Sequence, residues 1–425
     1  MRSMNITILT TGSRGDTQPF IALGKELKTL GHEVTITAFE NYRELVDQHG
    51  LGFSPIQGDI SAITKEMAKL SIKSKNPVQF FTSFRKMKPL LAEKQVTMQA
   101  DLFAACERAD AILYHPGAAI GHFIGKEKGI PAILASPFPM GETEEYPSLI
   151  FYKMQFGKTL NRLTNKWFEK GFWMTVKTPI RTYWKQRFGQ EPAGFKSPYS
   201  KRDYPMVTSV SQHVFPQADD ESASFGYWFL DEDLTNWQPP QPLQAFLENG
   251  KQPVYIGFGS TYDDQAIETT EMMIEALRRT GQRGILATGW NEERESVSHS
   301  DDIFFTDSIP HTWLFPKLAG VVHHGGAGTT AATFRSGVPG LVIPHGNDQF
   351  AWGKRTEELG VGPSPIPKEK LTTDKLEHGI RQMLTPAIQQ KADQLGSRLQ
   401  QENGARDTAL YLQEILTGSG PSSQR

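Results

Sequence analysis

Residues 5–11 (NITILTT) form an apolar run that ends at a glycine turn, the pattern of a buried strand. From 18 to 30 the apolar positions are Phe20, Ile21, Leu23, Leu27 and Leu30, a helical spacing that Gly31 stops. Residues 33–38 (EVTITA) predict a second strand, and helical spacing resumes at 41–49. Strand, helix and strand in that order make a β-α-β unit, hence a parallel sheet with right-handed crossovers. The rhythm recurs with a strand at 110–114, a helix near 118–128 and a strand at 131–135. Residues 226–242 (GYWFLDEDLTNWQPPQP) interrupt it with Pro, Trp and acid, and read as an interdomain linker. The pattern then restarts, with strands at 253–258, 284–287, 303–306, 319–322 and 340–343 and helices near 265–280, 328–336 and through 373–417. The expectation is an α/β chain of two doubly wound, Rossmann-like domains, 1–225 and 243–417 with its terminal helices, joined by the linker 226–242 and followed by a disordered tail 418–425.

Composition agrees with that size. A chain of 425 residues exceeds one ordinary core, and 38% hydrophobic with 22% charged residues is a globular balance. No apolar run approaches the ~20 residues of a spanning helix. The single Cys106 excludes an intramolecular disulfide and a cysteine-based metal cluster. The first residues run straight into a strand with no secretory apolar region, so a cytoplasmic protein is expected. Net charge is −2 and names no partner. The basic residues, however, concentrate at 65–94 and 153–187, interleaved with Phe, Trp and Tyr. Two readings of these stretches stand: a peripheral surface that meets anionic lipid or an amphiphilic acceptor, or solvated faces of helices whose aromatic faces are core.

Ligands of open parallel sheets bind at the carboxyl ends of the strands, where helix N-termini offer free N–H groups to anions. Two segments fit. In VVHHGGAGTT (321–330) an apolar strand runs into two histidines, three glycines and Thr329. The glycines admit backbone amides to an anion, Thr329 is suited to cap the helix, and a histidine adds a charge-assisted bond. In TTGSRGDTQP (10–19) Gly12 and Gly15 shape a turn that displays Ser13, Arg14 and Asp16. Position alone leaves Asp16 as a general base or as an N-cap for a helix near Pro19.

The run SIPHTWLFPKLAGVVHHGGAGTTAATFRSGVP…PHGNDQFAWGKR (308–355) resembles the donor signature of the nucleotide-sugar-dependent glycosyltransferases of the GT-B fold. The opening TTGSRGDTQPFIALGKELKTLGHEVTI and the segment GYWFLD…WQPP…PVYIGFGS resemble the branch of sterol 3-beta-glucosyltransferases and glycopeptide-antibiotic glycosyltransferases. The resemblance implies two domains facing across a cleft, with the acceptor in the N-terminal one and the nucleotide diphosphate in the C-terminal one. It implies diphosphate contacts from His324, Gly326, Ala327, Gly328, Thr329 and Ser260, and a nucleobase contact from the backbone at Ile309. Asp348 and Gln349 match the pair that holds sugar hydroxyls. Asp16 matches the catalytic base, with Ser13 and Arg14 beside it. One departure is Pro344-His345-Gly346-Asn347, where relatives often carry an aromatic or apolar pair.

The chemistry so implied is inverting transfer of a hexose, glucose from UDP-glucose, onto a hydroxyl of a small apolar acceptor such as a sterol, triterpenoid or polyphenol. No Asp-x-Asp motif lies near the phosphate loop, and Asp263-Asp264 read as a helix start, so the expectation is no metal and no cofactor beyond the sugar donor. His115, Phe138, Trp173 and Trp184 are candidates to line the acceptor site, or else structural groups. The competing readings are a nucleotide-sugar epimerase and a non-catalytic protein that binds a lipid surface. No nucleic acid and no obligate protein partner are implied.

Overall fold

The structure is a computed structural model that describes residues 3–57, 94–152, 157–219, 221–231, 234, 237–258, 266–287, 301–307, 309–346 and 348–418. It has two compact units: Met1–Ser148, Met154–Leu230 and Glu402–Arg425 form the first, and Leu149–Lys153 with Asp231–Gln401 the second.

The first unit is built on seven strands: β1 (Asn5–Leu9), β2 (Glu33–Phe39), β3 (Gly52–Ile56), β4 (Ala111–Tyr114), β5 (Ala132–Ser136), β6 (Met206–Thr208) and β7 (Ser222–Ser224). Their order is β3-β2-β1-β4-β5-β6-β7, and every pairing is parallel. Sheet growth reverses between β1 and β4, the switch point at which such sheets bind ligands. Helix α1 (Arg14–Thr29) follows β1 and buries Phe20, Ile21, Leu23 and Leu27 on the sheet. Helix α2 (Ile120–Lys128) connects β4 to β5 and ends at left-handed Gly129. Helix α3 (Lys158–Phe188) runs for 31 residues and takes in most of the basic, aromatic stretch at 153–187. Strands β6 and β7 escaped the pattern because three residues are too few to show a period.

The second unit has five parallel strands, β8 (Val254–Gly257), β9 (Gly284–Ala287), β10 (Ile303–Thr306), β11 (Gly320–His323) and β12 (Gly340–Val342), in the order β10-β9-β8-β11-β12. Its switch point lies between β8 and β11. Helices α4 (Ala266–Thr280), α5 (Ala327–Arg335) and α6 (Gln349–Glu358) follow β8, β11 and β12. The expected strands of this half agree with those observed to within two residues at each end.

The chain then returns. Helix α7 (Gly404–Leu416) places Ala409, Leu412 and Ile415 in the first unit's core with Phe20, Leu23 and Trp228. The division into 1–225 and 243–417 therefore differs from the structure at two places. Residues 226–230 belong to the first unit: Trp228 is 2% exposed, sits edge-on to Phe20 at 5.6 Å and donates its indole N–H to Thr408 at 3.0 Å. Helix α7 joins them because its apolar stripe completes that core. Most of the tail 418–425 lies outside the described residues.

Candidate active site

In the first unit the two strands that flank the switch point each deliver one polar side chain. After β1 the chain turns at Gly12, whose φ of 132° lies in the left-handed region. A Cβ there would collide with the Asp16 carboxylate, so glycine is needed twice over. The turn lets Ser13 cap α1. Asp16, in the first helical turn, reaches back and accepts from the Ser13 backbone N–H at 2.7 Å and from its hydroxyl at 2.9 Å, both on Oδ2. The helix thus starts at Arg14, four residues before the apolar period shows it, and Asp16 is not the N-cap.

Oδ1 of Asp16 faces His115, which follows β4, with its Nε2 at 3.5 Å. That is an ion-pair distance and too long for a good hydrogen bond; Nε2 has no hydrogen-bond partner among the described residues. The other ring nitrogen, Nδ1, accepts from the Gly117 N–H at 2.9 Å, so in the neutral ring the proton sits on Nε2 and points at the carboxylate. Phe20 and Phe138 hold the imidazole edge-on, each 6.0 Å between centroids. Burial alone would push the Asp16 carboxyl up. The nearby imidazole and the two Ser13 donors outweigh it and hold the group below the ordinary carboxylate value, so it is ionised at neutral pH.

In the second unit β11 runs into His323-His324-Gly325-Gly326 and then α5. Gly326 is the N-cap, so the amides of Ala327, Gly328 and Thr329 have no intrahelical partner. Thr329 lies in the first turn rather than at the cap expected of it; the Gly326 carbonyl instead accepts from the Thr330 hydroxyl at 2.9 Å. Gly325 has φ 89°, and a Cβ there would meet Val342 at 2.6 Å and the Gln349 carbonyl at 3.0 Å. His323 is 1% exposed, and its Nδ1 accepts from the Gly325 N–H at 3.1 Å. The ring of His324 lies over Gly326, where a Cβ would stand 2.5 Å from Nε2, and its buried Nδ1 has no hydrogen-bond partner among the described residues. Burial pushes His324 down to about 4, so the imidazole is neutral and the charge-assisted bond expected of it is not present in this state. Nearby, Asp348 stands just before α6 and accepts from the Trp352 indole at 3.2 Å, while the Gln349 side-chain carbonyl accepts from the His345 N–H at 2.8 Å.

Two family models match these units: the glycosyltransferase family 28 N-terminal domain over residues 6–147 and the erythromycin biosynthesis protein CIII-like C-terminal domain over 273–413. This chain belongs to the GT-B glycosyltransferases. Among relatives of that family, a sterol 3-beta-glucosyltransferase of Arabidopsis thaliana is 33% identical over 418 residues, 94% of this chain and 64% of that protein. A sterol 3-beta-glucosyltransferase of Vanderwaltozyma polyspora is 34% identical over 95% of this chain and 34% of its own length. The chain therefore spans less than two thirds of these proteins. The fold is shared with the calicheamicin glycosyltransferase, at TM-score 0.74 and 16% identity over 99% of this chain and all of that one. It is shared also with a glycosyltransferase crystallised with dTDP, VinC, at TM-score 0.62 and 16% identity over 98% of this chain and all of that one.

Within this GT-B chain the expected residues fall into three groups. Ser13 and Asp16 are brought together with His115, and Arg14 is exposed beside them with its Nε donating to Gln18 at 3.2 Å. His324, Gly326, Ala327, Gly328 and Thr329 share the β11–α5 turn; Asp348 and Gln349 open α6, and half-buried Ile309 precedes the turn at His311. Ser260 and the pair Asp263-Asp264 lie outside the described residues. The acceptor candidates divide. Phe138 touches His115 and sits against Phe168 and Phe172. Trp173 is half-buried and packs edge-on to Phe195 at 5.3 Å. Trp184 is a core residue, 2% exposed among Phe103, Phe123 and Phe188. Phe20, His323 and Trp352 hold the site residues from behind, and the sequence pattern gave Phe20 only as a core position and Trp352 no place at all. Only His323, adjacent to His324 at a strand end, carried a signal.

Proposed function

We propose that the protein is an inverting, metal-independent glycosyltransferase that moves glucose from UDP-glucose to the hydroxyl of a small apolar acceptor of the sterol class. The observation that carries the reading is an ionised carboxylate backed by an imidazole at one switch point and an unpaired helix N-terminus behind a glycine turn at the other. The relatives' names, sterol 3-beta-glucosyltransferases, support the choice of sugar and acceptor.

Asp16 takes the proton of the acceptor hydroxyl. The acceptor oxygen bonds to the anomeric carbon while the bond from that carbon to the diphosphate oxygen breaks, and its electron pair leaves with UDP. Attack opposite the leaving group inverts the anomeric centre. Negative charge grows on the departing phosphate, where preorganised N–H groups act with most effect. Ala327, Gly328 and Thr329 supply those amides, with the neutral imidazole of His324 and the hydroxyl of Ser260 as further donors. This set takes the place of a metal. Asp348 and Gln349 hold the sugar hydroxyls, the backbone at Ile309 the base, and Ser13 and Arg14 approach the phosphates. The half-buried ring of Phe138 lies on the acceptor side of Asp16.

The test is a panel of sterols and other apolar alcohols incubated with UDP-glucose or dTDP-glucose, with and without chelator, and read by mass spectrometry and anomeric NMR. A hexose added with inverted configuration, from UDP-glucose and regardless of chelator, is the expected result. Conversion of the sugar nucleotide with no acceptor present would mean an epimerase, and no hexose transfer to any member would end the proposal.

A further inference from the structure

Helix α3 has two faces. One packs Phe172, Ile180, Tyr183 and Trp184 into the core that also holds Phe138. The other exposes large apolar side chains: Leu160 is 47% exposed, Leu163 37%, Trp167 56% and Met174 52%. At about 100° per residue these four fall within roughly 60° of arc, a single stripe over four turns. Scattered apolar residues on a surface need no explanation, but a contiguous stripe centred on a tryptophan does.

The charge around the stripe is one-sided. The helix carries eight Lys and Arg against one carboxylate, Glu169, which is buried on the opposite face. Lys166, Lys170 and Lys177 run along one edge of the stripe. Among the described residues two carboxylates from outside the helix reach it: Glu142 pairs with Arg162 and Lys166, and Glu191 with Arg181 and Lys185. Counting both, cations still outnumber carboxylates by eight to three. No described helix is long and apolar enough to cross a membrane. A helix with one apolar stripe, a tryptophan and a cationic margin is built to lie in the headgroup layer.

We propose that the Leu160–Met174 face of α3 docks on an anionic bilayer. The stripe enters the acyl boundary and the lysines meet the headgroups. This holds whatever reaction the enzyme performs. On the reading of an apolar acceptor it gains a purpose, because the other face of the same helix packs with Phe138 and through it with His115.

The experiment is co-sedimentation of the full chain with vesicles of phosphatidylcholine containing 30% phosphatidylserine, and with phosphatidylcholine alone. The wild type is expected to bind the anionic vesicles at low salt and to lose binding as salt rises. The double variant Leu163→Gln/Trp167→Gln is expected to lower the bound fraction about tenfold. Lys170→Glu/Lys177→Glu should remove the preference for phosphatidylserine, and Leu410→Gln, an exposed apolar residue on α7, should change nothing. Thermal midpoints and transfer to a water-soluble acceptor should remain those of the wild type in all three variants. Failure of the wild type to bind, equal binding to the neutral vesicles, or full binding by the Leu163/Trp167 variant would overturn the proposal. So would a large stability loss in that variant without loss of binding, which would mean that the stripe is covered by the chain itself. None of these outcomes bears on the sugar-transfer reading, which the soluble-acceptor assay follows separately.

Discussion

Strands β4 and β11 end alike. Each is the strand just across the switch point of its sheet, each has a histidine at its carboxyl end (His323 as the last residue of β11, His115 just after β4) two residues before a glycine, and in each the glycine N–H donates to the histidine Nδ1. The shared device fixes the ring and leaves Nε2 to carry the proton of the neutral form. What surrounds the ring then differs. His115 looks at a carboxylate that an adjacent capping box has aimed at it. Among the described residues His323 has no acid beside it; burial, with His324 and His311 nearby, pushes it down to about 3 and keeps it neutral. It serves as a post for the glycine turn while its neighbour His324 faces the helix N-terminus. On the proposed function, one local geometry thus supports a base in one unit and an anion cradle in the other. The division of labour lies in the neighbours and not in the fold.

The strongest way to break this comparison is to remove the charge on one side only. Asp16→Asn keeps the contacts with Ser13 in shape but takes away the proton acceptor, and turnover should fall by about 10²–10⁴. Affinity for UDP, measured by calorimetry, should remain. Near-normal turnover would remove Asp16 from the role of base. The next effect is on the cradle. Gly326→Ala places a methyl group 2.5 Å from the His324 ring, so ring or turn must move, and UDP affinity should fall by roughly 10–100-fold through lost anion donors. Gly328→Ala meets nothing within 4 Å in the protein. Any loss of affinity there reports contact with the ligand itself, and equal affinities in both variants would argue against a diphosphate at this turn.

Nine of the twelve described strands were legible in the sequence as short apolar runs between turn signals, and β3, β6 and β7 were not. The turn at 321–330 was legible because its composition has few other uses. Four things were not. The start of α1 at Arg14 is set by a side chain folding back on its own N-terminus, which leaves no apolar period. The role of His115 depends on β4 lying next to β1, a neighbour relation across about a hundred residues that no local pattern carries. The separation of Trp184 from Trp173 depends on which side of α3 faces the core, and an aromatic residue reads the same on either. The return of α7 to the first unit is likewise a long-range choice: its stripe of Ala409, Leu412 and Ile415 fits any apolar surface of the right shape.

Asparagine in place of each strand-end histidine sharpens the comparison with one chemical change. Its side-chain oxygen can accept from the glycine N–H two residues on, as Nδ1 does, but it has nothing to replace Nε2. In His115→Asn the carboxyl of Asp16 loses the neighbour that holds it low. The base works only when ionised, so the acid limb of kcat/KM should move to higher pH, with kcat down about tenfold through looser positioning. An unmoved limb would show that His115 has no hold on the base.

The smallest effect is in His323→Asn. In the native chain this histidine titrates near 3 when folded and at its ordinary value near 6.5 when unfolded, so the unfolded chain takes up the proton first. Its contribution is complete above pH 6.5 and is lost as pH falls from there toward 3. By pH 5.5 the loss should be about 1 kcal/mol. His324, lowered to about 4, adds a loss of the same sign. In the first unit His122, also lowered to about 4, is opposed by Glu169, which burial raises to about 7 and which is relieved of its charge on acidification. Among its described residues the second unit has no such opposing group beside its histidines. Unfolding curves of wild type and His323→Asn at pH 7.5 and 5.5 should therefore converge at the lower pH by about 1 kcal/mol, and a constant gap between them would mean that His323 is not held neutral by burial.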